Sequence, residues 1–290
     1  MANTITLKRR IGSVKNTKQI TKAMELVAAS KMRRAQEYAL AGRVYREFAY
    51  SLLTRLSAIT EVNEHPLFVQ RTVKSRLYVV ITSNGTLAGA YNANIIRMLT
   101  RAILADQKEG IKTQVIAIGK QGAKFARRVQ GIDLLAAYTE IPDHPEANDV
   151  RSILDTAIEM YRSKNVDDVK VLYTQFKSNL AQEATALSLL PARFDATEEV
   201  PNSLSNTTFE PSIEAVLDSV SERLLEVQVW QALLESLASE HSMRMMAMKN
   251  ATDNATDLID DLTLAFNTAR QAAITQELAE ITGGAEAIQK

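Results

Sequence analysis

The chain has 290 residues, of which 46% are hydrophobic and 23% charged, as in an ordinary globular protein of one or two domains. It contains no cysteine, which excludes a disulfide framework, a cysteine zinc site and a cysteine nucleophile. Lysine plus arginine equals aspartate plus glutamate at 34 each, so the net charge gives no support to nucleic-acid binding.

The N-terminal segment is basic and has the pattern of a helix. Residues 1–60 contain 12 basic and 3 acidic side chains. Apolar residues recur at helical spacing in two short runs, which are Leu7, Ile11 and Val14, then Ile20, Met24 and Val27. Lys18 breaks this stripe, and the whole pattern predicts a helix over residues 4–59. The basic residues precede no long apolar run, so we expect no secretory signal, no membrane span and an intracellular protein.

The middle of the chain alternates short apolar runs with helical patterns. Four runs predict buried strands at 76–83, 113–119, 132–139 and 169–176, and a weaker run predicts an edge strand over 185–190. Helical patterns lie between the strands at 94–108, 121–129 and 149–164. This alternation predicts an α/β domain with a mostly parallel sheet and helices on its faces. A polar connection follows at 195–210.

The C-terminal segment is acidic and has the pattern of one very long helix. It has no proline or glycine over the 71 residues from Ser212 to Thr282, and residues 210–290 carry 5 basic and 14 acidic side chains. Its apolar residues alternate steps of three and four in two stripes, which are Ile213, Leu217, Val220, Leu224 and Val227, then Ala255, Ile259, Leu262, Phe266, Ala269 and Ala273. Pro211 is a suitable first helical residue and Gly283–Gly284 a suitable stop.

The two terminal segments complement each other, with charge balances of +9 and −9 around a neutral middle. Helices of this length are stable only with a partner, and they exceed the radius of about 19 Å that a compact chain of this size would have. We therefore predict that the two helices pair, antiparallel, outside the α/β domain.

Motifs for catalysis are weak or missing. The glycine-containing loop Thr82–Asn92 follows a strand and precedes a helix, but it matches neither a dinucleotide fingerprint nor a phosphate-binding loop with its lysine. We favour a tight structural turn there. The histidines are scattered, and Met243, Met245, Met246 and Met248 are interpreted as packing residues. We therefore expect no enzyme, no cofactor and no metal site. Two alternatives stay open, a nucleotide-binding enzyme that uses the helices to oligomerise and a passive coiled-coil adaptor.

Both ends of the chain resemble one known family. Ser13–Met32 reads SVKNTKQITKAMELVAASKM, Leu237–Ala255 reads LASEHSMRMMAMKNATDNA, and Asn267–Ile281 reads NTARQAAITQELAEI. These stretches are similar to the N-terminal and C-terminal signatures of the gamma subunit of F-type ATP synthases. The likeness runs over the whole chain in order and length. The loop Asn84–Gly89 departs from the family pattern, because Ala88 stands where the family often has cysteine.

The resemblance implies a non-catalytic rotor shaft that couples rotation of a membrane c ring to conformational changes in catalytic beta subunits. It implies a shaft helix over 1–65, a Rossmann-like α/β foot domain over 66–210 and a second shaft helix over 211–290. The helices would form an antiparallel coiled coil inside a hexamer of alpha and beta subunits, and the foot would meet the epsilon subunit and the c ring. No thiol-bearing insertion is present, so we expect a bacterial-type, peripheral protein at the cytoplasmic face of the plasma membrane.

The family signatures also imply partner-binding residues. The stretch that contacts a catch loop of the beta subunits matches Arg270, Gln271, Thr275 and Glu277. The position near the lever segment of the beta subunits matches Met24, and the position where the foot meets the c ring matches Phe209 and Glu210.

Overall fold

The computed structural model describes residues 4–57, 65–142, 145–179, 181–192 and 212–288. Two long helices flank an alternation of strands and shorter helices, which confirms the predicted fold class. The elements in chain order are α1 (Thr4–Ser57), β1 (Ser75–Ile81), α2 (Tyr91–Glu109), β2 (Lys112–Ile118), α3 (Lys120–Ala126), β3 (Ile132–Tyr138), α4 (Ala147–Arg162), β4 (Asp168–Phe176), β5 (Gln182–Leu190) and α5 (Ile213–Ile288). Residues 58–59, the polar connection 195–210 and Pro211 lie outside the described residues.

The five strands form one sheet in the order β3-β2-β1-β4-β5. The pairs β1–β2, β2–β3 and β1–β4 are parallel, whereas β5 is an antiparallel edge strand beside β4. Both the mostly parallel sheet and the edge strand are as predicted. The chain moves outward from β1 to β3 and then returns to the other side of β1, so the order of strands reverses between β1 and β4, where open α/β sheets commonly bind ligands.

Each face of the sheet is covered by helices. On one face, Leu77, Val79 and Ile81 join a buried cluster with α4 and with the part of α5 from Leu217 to Leu233. On the other face, Tyr78 and Val80 pack with α2 and with Ala126 of α3. The strands are therefore buried on both sides, which explains their continuous apolar runs.

The chain divides into two compact units, and both long helices pass through both units. We call Ala29–Met243 the sheet unit. We call the remainder, which is α1 up to Ala28 and α5 from Arg244, the helical unit. The division into 1–65, 66–210 and 211–290 is one by sequence segments and stays a prediction.

Helix α5 has 76 residues and continues to Ile288, so the predicted stop at Gly283–Gly284 is wrong. Glycine adopts the helical conformation at a cost of only about 1 kcal/mol relative to alanine, and no proline follows to end the helix. At the other end of the chain, α1 has 54 residues and agrees with its prediction as far as Ser57. Within the described residues, no helix is both long and apolar enough to cross a membrane.

Candidate partner-binding surface

The helical unit is built on one stripe of residues from each helix. On α5, all the predicted positions have reduced exposure, which are Ala255, Ile259, Leu262, Phe266, Ala269 and Ala273, and Thr256 beside them has it too. On α1, the stripe runs through Leu7, Ile11, Val14, Lys18, Thr21, Met24 and Ala28. The steps of three and four residues on both helices are those of an antiparallel coiled-coil seam.

The α1 stripe differs from its prediction after Val14. Ile20 and Val27 are 60% and 56% exposed, so they do not belong to the seam. Lys18 does not interrupt the seam, because it is itself half-buried and Thr21 follows on the same face. The prediction followed apolar residue types, whereas the helix keeps its spacing and accepts polar side chains in the seam.

A pair of threonines joins the two helices. The Thr21 Oγ1 and Thr252 Oγ1 atoms lie 2.8 Å apart, and both residues are buried. Each hydroxyl also lies close to a carbonyl of its own helix, Thr21 to Lys18 O at 3.0 Å and Thr252 to Met248 O at 2.8 Å. Two hydroxyl protons therefore serve three hydrogen-bonding contacts, so only one hydroxyl at a time donates across the seam.

The threonine pair defines the axial register of α1 against α5, that is, which residues of the two helices lie opposite each other. With equal rise along both antiparallel helices, this register places Leu7 level with Phe266 and Thr4 level with Ala269. Beyond Ala269, therefore, no described residue of α1 runs beside α5. From Arg270 to Gly283 only Ala273 has reduced exposure.

Four of the predicted partner-binding residues lie on this single-helix segment. Arg270, Gln271, Thr275 and Glu277 are all exposed. Thr275 Oγ1 donates to Gln271 O at 3.0 Å, so these two lie one turn apart on the same face. Arg270 and Glu277 are two turns apart on the neighbouring face. The structure thus brings these four residues together on one exposed stretch.

The other predicted residues lie elsewhere. Met24 is half-buried in the seam on α1, at a level about 30 Å along the helices from Arg270 by the helical rise. Phe209 and Glu210 lie outside the described residues.

Sequence reasoning missed a set of exposed apolar side chains on the helical unit. On α5, Leu264 is 70% and Ile281 is 68% exposed, and Leu258, Ile274 and Leu278 are about half exposed. On α1, Ile5 and Leu26 join Ile20 and Val27 in facing outward. Large apolar side chains in such numbers are typical of a surface that another protein covers. The sequence could have indicated this surface, because these apolar residues do not occupy the positions of the α1 and α5 stripes.

The glycine loop of the sheet unit is closed by its own side chains. At the start of α2, where this loop would hold a phosphate, Asn92 Oδ1 accepts the Ser83 N–H at 3.0 Å and Ser83 Oγ donates to Gly85 O at 2.7 Å. At the start of α3, Thr82 Oγ1 accepts the Gly122 N–H at 2.8 Å. Asn84 Oδ1 accepts the Lys120 N–H at 3.0 Å. Gly119 has a φ of +92°, and a Cβ there would lie 2.2 Å from Thr82 O. The glycine serves a close approach of two backbones, which supports the structural turn over nucleotide binding.

The crevice between β1 and β4 is occupied by α5. Ser236 Oγ accepts the Thr174 N–H at 3.2 Å and contacts the Tyr91 hydroxyl at 2.7 Å. Ser239 Oγ donates to Thr174 O at 3.1 Å. These contacts fill the place where sheets of this kind usually hold a ligand, so the enzyme alternative loses its site.

A charged cluster at the other end of the central strands, where β1, β2 and β4 begin, is also structural. The fully buried Asp106 carboxylate accepts from Arg76, from the Tyr78 hydroxyl at 2.9 Å and from the Thr113 hydroxyl at 3.2 Å, and Arg76 also pairs with Asp168. Burial raises the pKa of Tyr78 above its usual range. For Arg76 burial acts to lower the pKa, but its hydrogen bond to Asp168 and its other polar contacts outweigh that effect and raise it.

The buried Asp106 carboxylate is thus bonded to side chains of the sheet unit itself, which identifies the cluster as structural. Within the described part of the chain, no group of three or more histidine, aspartate or glutamate side chains is placed to hold a metal ion.

Residues 3–288 match the family model described as ATP synthase. The chain is 41% identical to the ATP synthase gamma chain of Moorella thermoacetica over 288 residues, which cover 99% of this chain and all of that one. It is 43% identical to the ATP synthase gamma chain of Roseiflexus castenholzii, with 99% of both chains covered.

Two solved ATP synthase structures contain chains with a similar fold. A chain of the central stalk and c-ring structure of the Tetrahymena thermophila mitochondrial ATP synthase superposes with a TM-score of 0.62 at 26% identity, over 80% of this chain and 99% of that one. A chain of the Euglena gracilis mitochondrial ATP synthase gives a TM-score of 0.68 over 98% of this chain and 94% of that one, at 18% identity, and so supports the fold alone.

Proposed function

Because this chain belongs to the ATP synthase gamma-chain family, we propose that it is the central rotor shaft of an F-type ATP synthase. It carries no catalytic site of its own. It couples rotation of a membrane c ring to conformational changes in the catalytic beta subunits, in either the synthesis or the hydrolysis direction. The observation that carries this proposal is the helical unit, where an exposed apolar surface and a single-helix end are left for other subunits to contact.

The physical requirement on such a shaft is differential contact. A rotating helix pair changes the conformation of a neighbouring subunit only if it binds that subunit's states with different free energies. Moving one subunit from 1:99 to 99:1 between two states takes about 5.5 kcal/mol of such difference. The two faces of α5 beyond Ala269 differ in chemistry, with Arg270 and Glu277 on one and Gln271 and Thr275 on the other. A turn of the helix therefore presents different groups to each surrounding subunit.

The partners we propose are the alpha and beta subunits around the helical unit, and the epsilon subunit and the c ring at the sheet unit. Arg270, Gln271, Thr275 and Glu277 contact the catch loop of a beta subunit, and Met24 lies near the lever segment. Phe209 and Glu210 meet the c ring. The protein is peripheral and reaches the cytoplasmic face of the plasma membrane only through the complex.

The catch contact is tested by replacing Arg270 and Gln271 together with alanine in the assembled complex. We expect ATP-driven proton transport to fall about tenfold, since two exposed polar contacts are lost at about 0.7 kcal/mol each. The measurement is acidification of inverted vesicles together with the amount of assembled complex. The matched control is Arg128→Ala with Gln130→Ala, an exposed pair of the same residue types on the sheet unit. Equal transport in the two double variants would contradict the catch contact.

A further inference from the structure

The C-terminal part of strand β4 extends beyond the end of its neighbour β1. Strand β1 pairs with β4 only from Asp168 to Leu172, whereas β4 continues to Phe176 beside β5. In an antiparallel pair, the N–H and C=O of one residue point to the same side. The Thr174 N–H and C=O both point to the side where β1 has ended, and they are bonded there by two side chains of α5.

Three serines of α5 make these bonds and extend them along the sheet. Ser236 and Ser239 bond the Thr174 N–H and C=O, and Ser242 Oγ donates to Asn179 O at 3.1 Å and accepts from Gln182 Nε2 at 3.1 Å. All three serines have no exposed surface. Their spacing of three residues keeps them on one side of the helix. A run of directional hydrogen bonds therefore fixes both the rotation and the axial position of α5 on the sheet.

These bonds lie at the last part of α5 within the sheet unit. The unit ends at Met243, one residue after Ser242, and the helix continues from there into the helical unit. Any torque that α5 transmits between the two units passes through this segment of the helix. Hydrogen bonds depend on the angle as well as the distance between donor and acceptor, so they add a directional restraint to the apolar packing of the helix.

We propose that Ser236 and Ser239 are positioning residues for torque transfer, because they keep α5 from turning on the sheet when the shaft is loaded. This inference rests on the proposed function as a shaft, but it does not depend on the catch contact of Arg270 and Gln271. The crevice between β1 and β4, where related sheets bind ligands, then has a mechanical role, because the serines of α5 that fill it hold the helix in place.

The test compares two kinds of buried serine on the same helix. Ser236→Ala with Ser239→Ala removes both bonds to Thr174. Ser221→Ala is the matched control, because Ser221 is also buried but its hydroxyl has no hydrogen-bond partner within the part of the chain that the structure describes. Each variant is assembled into the full complex in membrane vesicles, and protons transported per ATP hydrolysed are measured for equal amounts of assembled complex.

We expect the transport-to-hydrolysis ratio of the double variant to fall about 25-fold, as for the loss of two hydrogen bonds to Thr174 at about fivefold each. Ser221→Ala should keep the ratio of the original complex. A role in folding alone would lower the yield of complex but leave the ratio per complex unchanged, and that result would overturn the inference. If the double variant does not assemble, Ser239→Ala alone is measured, and an unchanged ratio again counts against the inference.

The original complex separates this inference from the proposed function. If the complex with the unaltered chain transports no protons when it hydrolyses ATP, then the proposed function itself fails. If that complex is coupled and the serine variants are equally coupled, then only the role of the serines is refuted.

Discussion

The sheet unit and the helical unit use the same kinds of apolar residue in opposite ways. In the sheet unit, Val80 and Ile116 have no exposed surface, and the strands are covered on both faces. In the helical unit, Leu264 and Ile281 are more than two-thirds exposed. A pair of helices buries only one stripe of each, so any further apolar residue must face outward. The sheet unit is therefore stable through its own interior, whereas the helical unit carries a surface for other proteins.

The largest effect is expected from the loss of a buried carboxylate inside the sheet unit. Asp106→Ala leaves the Arg76 guanidinium with one carboxylate fewer and leaves the Tyr78 and Thr113 hydroxyls without their acceptor. Loss of one member of a buried ionic cluster should cost about 3 to 5 kcal/mol of the free energy of unfolding. The measurement is urea unfolding followed by the fluorescence of Trp230, the single tryptophan, whose indole N–H bonds Pro145 O within this unit.

Asp133→Ala is the control, since Asp133 forms an ion pair of 2.8 Å with Lys112 in which both side chains are more than half exposed. That pair should contribute at most about 1 kcal/mol. Equal losses for the two variants would show that the buried cluster does not hold the sheet unit together.

In the helical unit, a charge placed in the seam should loosen the two helices without unfolding the sheet unit. Ile259→Asp places a carboxylate in the seam and should cost about 2 kcal/mol locally, because a charge displaces a half-buried aliphatic side chain. We expect amide hydrogen exchange of residues 4–28 to quicken by about thirtyfold, the factor for that free energy, while the Trp230 unfolding transition stays in place. Proton coupling of the assembled complex should also be lost as the helices loosen.

Leu264→Asp is the matched control on the outward face of the same helix, and it should leave the hydrogen exchange of the isolated chain unchanged. An equal rise in exchange for both variants would mean that the seam does not hold the helices together. A shift of the Trp230 transition by Ile259→Asp would mean that the two units do not unfold separately.

The sheet unit and the helical unit also differ in how much of their structure could be predicted from the sequence. The strands were predictable because continuous apolar runs such as Leu77–Ile81 are buried on both faces. The α5 stripe was predictable because its apolar spacing is unbroken. The α1 stripe was half missed, because a polar Thr21 in a seam is recognised only once its partner on the other helix is known. The continuation of α5 through Gly283 was missed because local propensity is weak against an established helix.

For the candidate partner-binding surface, the local structure was likewise predictable from the sequence and the contacts were not. The signature around Arg270 placed those residues on a helix, and the helix and their exposure are observed. Their contacts with a beta subunit depend on a chain that the sequence does not contain, so those contacts stay predictions. The bonds of Ser236 and Ser239 could not be predicted either. They exist only because β1 stops pairing two residues before Thr174, and strand register is a long-range property.

The smallest expected effect belongs to the threonine pair, where the helical unit resembles the sheet unit by burying hydrogen-bonded groups. Thr21→Val should cost about 0.5 to 1 kcal/mol, since the bond across the seam is lost while Thr252 still donates to its own helix at Met248 O. Thr252→Val should behave in the same way. The double change to valine replaces both partners by apolar groups of similar shape, so its cost should not exceed that of either single change. Hydrogen exchange of residues 14–28 in the four chains gives the coupling energy, which we expect to be about 0.5 to 1 kcal/mol. If the costs of the two single changes simply add, then the hydroxyls do not stabilise each other and the seam is held by its apolar residues alone.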